Sequence, residues 1–262
     1  VYKTVDGTSA QLQRITDGVK EMSTEIPATT TEIAGVAEAA GQLGIATEDV
    51  LDFTRVMIDL GESTNLSADE AASALAKFAN ITGTAASDYS RLGSVIVGLG
   101  NNFATTEADI VAMATRLASA GTLAGLTEAE IMGLATAMSS VGIEAEAGGT
   151  AMTQTLSAIE KAVAESGDSL DEFARIAGVS SEEFANKWEN NAVEALQLFI
   201  SGLGDLDAQG ESATIVLDEM GLSGVRQSNM LKSLALAADT LTGAVELANV
   251  SWEENTALTE EA

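Results

Sequence analysis

The 262-residue sequence contains no cysteine and no histidine. These absences exclude thiol nucleophiles, disulfide bonds, zinc sites of the usual ligand set and histidine acid–base chemistry. Pro27 is the only proline, and since proline is the strongest helix breaker, long helices are permitted. Aromatic residues make up only 4% of the chain, and alanine supplies much of the apolar content. Alanine buries little area per contact, so the composition predicts many thin helix–helix contacts.

Basic residues are also scarce. Twelve lysines and arginines stand against 40 aspartates and glutamates, which gives a formal net charge of −28. A surface of this charge repels phosphate groups, so we expect no direct binding to nucleic acid or to anionic membranes. The longest apolar run, Leu92 to Leu99, is far shorter than the roughly 18 residues of a membrane-spanning helix. We therefore expect no membrane span in this sequence.

The sequence does contain a recurring signal for the start of a helix. In a capping box, Ser or Thr is followed three positions later by Glu, and the two side chains satisfy two free backbone amides. Apolar residues at helical spacing follow each example, and no segment shows the two-residue alternation of a strand. The examples are Ser67–Glu70, Thr127–Glu130, Ser169–Glu172 and Ser180–Glu183, with Thr106–Asp109 as a weaker version.

These patterns predict an all-α protein with a compact core of short, capped helices. The predicted core spans 44–222, flanked by extended helical arms at 1–43 and 223–262, because both flanks are polar and lack bulky core residues. Since both ends interrupt the helical pattern, we expect the chain to be a segment of a longer protein. Helices are expected at 8–25, 28–43, 47–60, 67–81, 85–99, 106–120, 127–141, 144–165, 169–177, 181–203, 207–220 and 223–258.

Carboxylates are the only abundant reactive groups, and a structural explanation accounts for their positions. Glu144 and Glu146 could be imagined as a glycosidase pair, but acids at a helix start are favoured by the helix dipole. Gly148 and Gly149 follow no strand and precede no Walker lysine, which favours a turn or close packing over a phosphate loop. The sequence thus predicts no catalytic residue, cofactor or metal site, and we do not expect an enzyme.

The stretch from Leu99 to Met152 is more specific than these general signals. A Gly-Asn-Asn turn leads into a capped helix, an Ala-Gly linker leads to a second capped helix, and the segment 142–150 closes it. This arrangement closely resembles the core region of phage tail tape measure proteins. The resemblance covers about 44–222 and includes the helix starts at 66–72 and 179–184.

The resemblance implies a structural virion protein of a tailed phage or a phage-tail-like particle. Its implied roles are tail assembly, tail-length determination and DNA ejection, in the lumen of the tail tube or at the tail tip, with assembly in the host cytoplasm. The implied partners are further copies of the chain in a trimer with coiled-coil contacts, tail-tube proteins, tail-tip or baseplate proteins and tail assembly chaperones. The residues alone leave open a secreted or surface helical interaction module of the adhesin or effector type.

Two groups of residues are predicted to keep this core intact. The first comprises Gly142, Gly148 and Gly149, which we assign to a tight turn after the helix at 127–141. The second consists of apolar residues at helical spacing that we expect to pack in the core, namely Ile131, Leu134, Met138, Phe184 and Trp188.

Overall fold

The computed structural model describes residues 4–262, and these residues form an all-α fold, which confirms the predicted class. Short 3₁₀ turns at Ala86–Asp88 and Asp207–Gln209 accompany the α-helices. The helices of the described part of the chain are α1 (Ser9–Glu25), α2 (Thr30–Gln42), α3 (Val50–Ser63), α4 (Ala68–Thr82), α5 (Tyr89–Asn102), α6 (Glu107–Leu123), α7 (Glu128–Ser140), α8 (Ala145–Glu165), α9 (Asp168–Ala177), α10 (Ser181–Asn190), α11 (Ala192–Asp205), α12 (Ala213–Glu219), α13 (Val225–Ala235), α14 (Ala238–Glu254) and α15 (Ala257–Glu261).

Complete capping boxes start four of these helices. Two of the boxes, Ser67–Glu70 at α4 and Thr127–Glu130 at α7, confirm the prediction. The other two were not among the predicted ones: Thr29–Glu32 at α2 has the same sequence pattern, and Thr8–Gln11 at α1 has Gln in place of Glu. In each box the N-cap oxygen accepts from a backbone amide that would otherwise lack a partner, so these starts are encoded locally.

The remaining predicted boxes differ in detail. Thr106 and Ser180 each cap a helix by accepting from the backbone amide three residues on, at 3.2 Å in both cases, without the full reciprocal box. Ser169 lies inside α9, whose N-cap is Gly167, so the box predicted at Ser169 is wrong. Gly167 has a φ of 81°, a left-handed conformation that favours glycine, and this turn sets the start of α9.

Three predicted helices are shorter or broken. The helix predicted at 181–203 is interrupted at Asn191, whose side chain accepts from the amide of Glu194 at 3.3 Å and starts α11. Of the helix predicted at 207–220, only α12 is α-helical. The helix predicted at 223–258 is divided into α13, α14 and α15, with breaks after Ala235 and after Glu254.

The N-terminal flank, expected as an extended arm, packs against the following helices. α1 lies on α2, and α2 lies on α3 and α4. The face of α2 that meets them is fully buried and consists of Ile33, Val36, Ala37 and Ala40. This is a correction of the predicted arm: two β-branched residues and two alanines are enough to bury this face of α2 against its neighbours.

The C-terminal flank requires the same correction. α14 lies between α5 and α7, and α15 packs on α5 and α3. The buried face of α14 is narrow and mostly small, with Leu241, Ala244, Val245, Ala248 and Ser251. Opposing glycines on α5 and α7 let α14 approach closely enough to be buried. The division of the chain at residues 43 and 222 stays a prediction.

The helices in between are arranged around α6 and α7. The N-terminal group α1–α4 joins them through α4, which packs on α6. α8 lies on the other side of α6, and α9, α10 and α11 pack on one another beyond it. α13 bridges α8 and α11.

Candidate interaction surfaces

The turn after α7 is built around Gly142. This glycine has a φ of 75°, and its amide donates to the carbonyl of Ser139 at 2.9 Å while the amide of Ile143 donates to that of Met138 at 3.1 Å. These two bonds close the end of α7 in a Schellman arrangement, which requires a left-handed residue and is therefore best served by glycine. The structure thus places Gly142 in a tight turn.

Gly148 and Gly149 lie elsewhere, inside the first two turns of α8. This corrects their assignment to the tight turn. A Cβ atom at Gly148 would overlap the side chain of Ile143, and one at Gly149 would lie 2.6 Å from Cβ of Arg116. Both positions are buried, so the missing side chains let α8 approach α6 and the end of α7. Their contribution is close helix packing, the second of the two roles considered from the sequence.

The predicted core-packing residues fall into two separate places in the core. Ile131, Leu134 and Met138 are completely buried on α7, and the methyl group of Met138 lies 3.1 Å from where a Cβ of Gly148 would be. The structure therefore brings the α7 residues together with the glycines of α8.

Phe184 and Trp188 are buried in the group formed by α9, α10 and α11. The ring of Phe184 stacks on that of Phe173 with 6.1 Å between centroids. Trp188 is 3% exposed, and its Nε1 donates to Oε2 of Glu160 on α8 at 2.9 Å. A buried indole N–H requires such a partner, so this hydrogen bond fixes α10 against α8.

An open groove of about 600 Å³ separates the C-terminal half of α6 from α8. Small side chains on both helices, including Ala120, Ala124 and Ser157, leave this space unfilled. At its edge Leu123 is 83% exposed, while Leu156 forms part of its floor. No sequence pattern indicates this groove, since small residues on a helix do not show whether a neighbour closes over them.

The charged residues around the core are mostly acidic, and several of the few cations are held in ion pairs. Nη2 of Arg175 lies 2.6 Å from Oε1 of Glu172, and this hydrogen bond lowers the pKa of the Glu172 carboxyl. Nζ of Lys187 lies 2.6 Å from Oε1 of Glu194, which raises the pKa of the lysine. Since these cations are neutralised by neighbours, the surface offered to a partner carries an excess of carboxylates.

Within residues 4–262, no three metal-ligating side chains come together in a way that could hold a metal ion. In the same residues no helix has the length and apolar character needed to cross a membrane. The features that the structure does display are packed helices, an open groove and an acidic surface. They define an all-α protein whose described surfaces are suited to contacts with other proteins.

Comparison with known proteins identifies the family. Residues 16–218, well over half of the chain, match the phage-related minor tail protein family. The chain belongs to that family, and its role is that of a structural protein of a phage tail, located in the tail of the virion and associated with other tail components. No curated protein and no solved structure matches the chain.

Proposed function

We propose that this minor tail protein is the core segment of a tail tape measure protein. The observation that carries the proposal is the arrangement of capped helices at 99–152, which resembles the tape measure core and lies inside the family match at 16–218. In this role the chain takes part in tail assembly, tail-length determination and DNA ejection. Its contribution is structural, without a catalytic step or a cofactor.

The proposed partners follow from the same role. Copies of the chain form a trimer with coiled-coil contacts in the tube lumen or at the tip, and they meet tail-tube, tail-tip or baseplate proteins and assembly chaperones. The net charge of −28 supports the absence of nucleic-acid binding, because DNA that moves through the same tube is repelled by the chain. The family match favours this role over a secreted or surface adhesin or effector module.

Tail length offers a direct test of the proposed role in tail-length determination. A helix rises about 1.5 Å per residue, so inserting about 100 helical residues into the parent gene should lengthen tails by roughly 150 Å in electron micrographs. A matched control exchanges an equal number of residues for another helical sequence and should leave tail length unchanged. Tails of normal length from the longer gene would contradict the proposal.

A further inference from the structure

The break between α13 and α14 has no local cause. Only Leu236 and Ala237 separate the two helices, and residues 231–242 contain neither glycine nor proline. Leucine and alanine are among the strongest helix formers, so the residues at the break favour continuation of the helix. Leu236 is also 89% exposed, which means that no apolar contact holds its side chain in place. The break is therefore imposed by the packing of α14.

The buried faces of α13 and α14 continue in phase across this break. Of their ten buried residues, seven follow alternating steps of three and four, with the partly buried Ala237 at the position between the helices, and Ser228, Leu231 and Val245 adjoin them. A single helix over 225–254, about 45 Å long, would hold all of them on one face. The members of this stripe are Gln227, Met230, Leu234, Leu241, Ala244, Ala248 and Ser251.

The surface that receives α14 is shaped for that helix. We call it the α14 seat, and it consists of Gly98 on α5 and Gly133 on α7 with their surroundings. A Cβ at Gly133 would lie 2.7 Å from Cα of Val245, and one at Gly98 would lie 3.4 Å from Cβ of Ser251. The seat accepts a backbone at very short range, and α14 carries the small side chains that such an approach demands.

We propose that copies of this chain exchange α14 and α15. In the exchanged form residues 225–254 are one continuous helix, and α14 of each copy occupies the α14 seat of another copy. The contacts of α14 and α15 are retained between chains, while the amides at the break gain helical hydrogen bonds, which is why exchange of an identical element is an accessible route to association. The proposal specifies which surfaces of two copies meet but not how many copies associate. It does not depend on the proposed role in tail-length determination.

Charge opposes the exchange and makes it sensitive to salt. Each copy carries a net charge of −28, so two copies repel one another at low ionic strength. At 0.1 M salt, this repulsion is largely screened between charges more than about 10 Å apart. The associated fraction of the purified chain should therefore rise with salt and with protein concentration in size-exclusion chromatography with light scattering.

A cysteine pair distinguishes exchange from any other association. The chain has no cysteine of its own, so in a chain with Gly98→Cys and Ser251→Cys these two positions, which face each other across the α14 seat, carry the only thiols. Their Cβ separation of 3.4 Å is close to the range of disulfide bonds. After oxidation, the monomeric fraction should run as single chains on a non-reducing denaturing gel, and the associated fraction as covalently linked copies.

Two results would overturn the proposal: an associated fraction that runs as single chains, or no association at high salt and millimolar protein. A second pair, Ser94→Cys with Asn255→Cys, replaces side chains that hydrogen-bond at 3.1 Å. This second pair provides the same test if the first pair prevents folding.

A proline at position 238 tests whether α13 and α14 join into one continuous helix in the exchanged form. Ala238 is the first residue of α14, where proline is tolerated, but in a continuous helix it would be an interior position. Ala238→Pro should weaken association by roughly a hundredfold or more, and leave the melting temperature of the monomer close to that of the parent. Ala213→Pro, at the first residue of α12, is the matched control and should not change association. Unchanged association of Ala238→Pro would refute the continuous helix.

Discussion

Most helices in the first half of the chain start in a different way from the helices after residue 212. Of α1 to α7, five begin at a Thr or Ser side chain that accepts from a backbone amide, namely α1, α2, α4, α6 and α7, whereas α3 and α5 have no such cap. Of the helices described after residue 212, α12 to α15, none has a side-chain hydrogen bond at its N-cap. The first group is started by adjacent residues, whereas the second is positioned by contacts with helices distant in sequence.

The boundary between α14 and α15 illustrates the second case. Asn255 has a φ of 51°, an unusual conformation for a residue other than glycine. Its Oδ1 accepts from Ser94 and its Nδ2 donates to Ser90, both on α5 and both at 3.1 Å. The carbonyl of Trp252, one turn earlier, accepts from Arg91 of the same helix. A side of α5, more than 150 residues earlier, thus determines where α14 ends.

Gly133→Ala should give the largest effect, because it acts on the distant contact that places α14. The added Cβ would lie 2.7 Å from backbone Cα of Val245, which cannot move like a flexible side chain. We expect a loss of about 2–3 kcal/mol in the free energy of unfolding, measured by urea denaturation.

Gly35→Ala on α2 is the matched control for that substitution. Position 35 is also inside a helix, and an added Cβ there would meet nothing within 4 Å. Alanine should stabilise this helix by roughly 0.5–1 kcal/mol. Equal effects of the two substitutions would mean that helix propensity, rather than the fit of α14, dominates at both positions.

Ser67→Ala should have an intermediate effect and tests the local start of α4. Its Oγ accepts from the amide of Glu70 at 3.3 Å, and loss of this cap should cost about 1 kcal/mol in thermal or urea unfolding. Ser169→Ala is the comparison, since Ser169 has the same sequence pattern but lies exposed inside α9. Its effect should stay within roughly 0.5 kcal/mol. A loss of stability as large as that at Ser67 would mean that Ser169 caps a helix after all, contrary to the structure.

The smallest expected effect is a pH dependence of the capped start. Hydrogen bonds from the Ser67 side chain and backbone lower the pKa of Glu70 below its ordinary value of 4.5. Because the folded-state pKa is the lower one, the stabilisation is present above pH 4.5 and is lost as the pH falls through the folded-state pKa. The difference in melting temperature between the parent and Glu70→Gln should therefore shrink on acidification from pH 7. A constant difference over that range would argue against an ionised partner in the box.

Most of the helices could be predicted from the sequence because their signals are local. The Ser67 and Thr127 boxes need only residues within one turn. The box at Thr29 has the same pattern, and the box at Thr8 fits it once Gln is admitted in place of Glu. The break at Leu236 could not, since helix-forming residues occupy it and only the position of α14 imposes it.

The candidate surfaces were less predictable for the same physical reason. A glycine pair is compatible with both a turn and a close contact, and only the neighbouring Ile143 and Arg116 show that Gly148 and Gly149 make contacts. The burial of α14 was missed because a narrow face of small residues resembles an exposed helix until an opposing glycine surface is known. The groove beside Leu123 likewise depends on which helices lie next to each other.

The small side chains between α14 and its neighbours have a consequence for hydrogen exchange. When α14 detaches, its own face of Leu241, Val245, two alanines and a serine meets solvent, together with the faces of α5 and α7 that it covers. The denaturant dependence of an opening reaction scales with the area it exposes. If α14 opens alone, its amide protons should therefore exchange through a partial opening that depends less on urea than global unfolding does. The last long helix would behave as a separately opening unit of a molecule in which it is centrally packed.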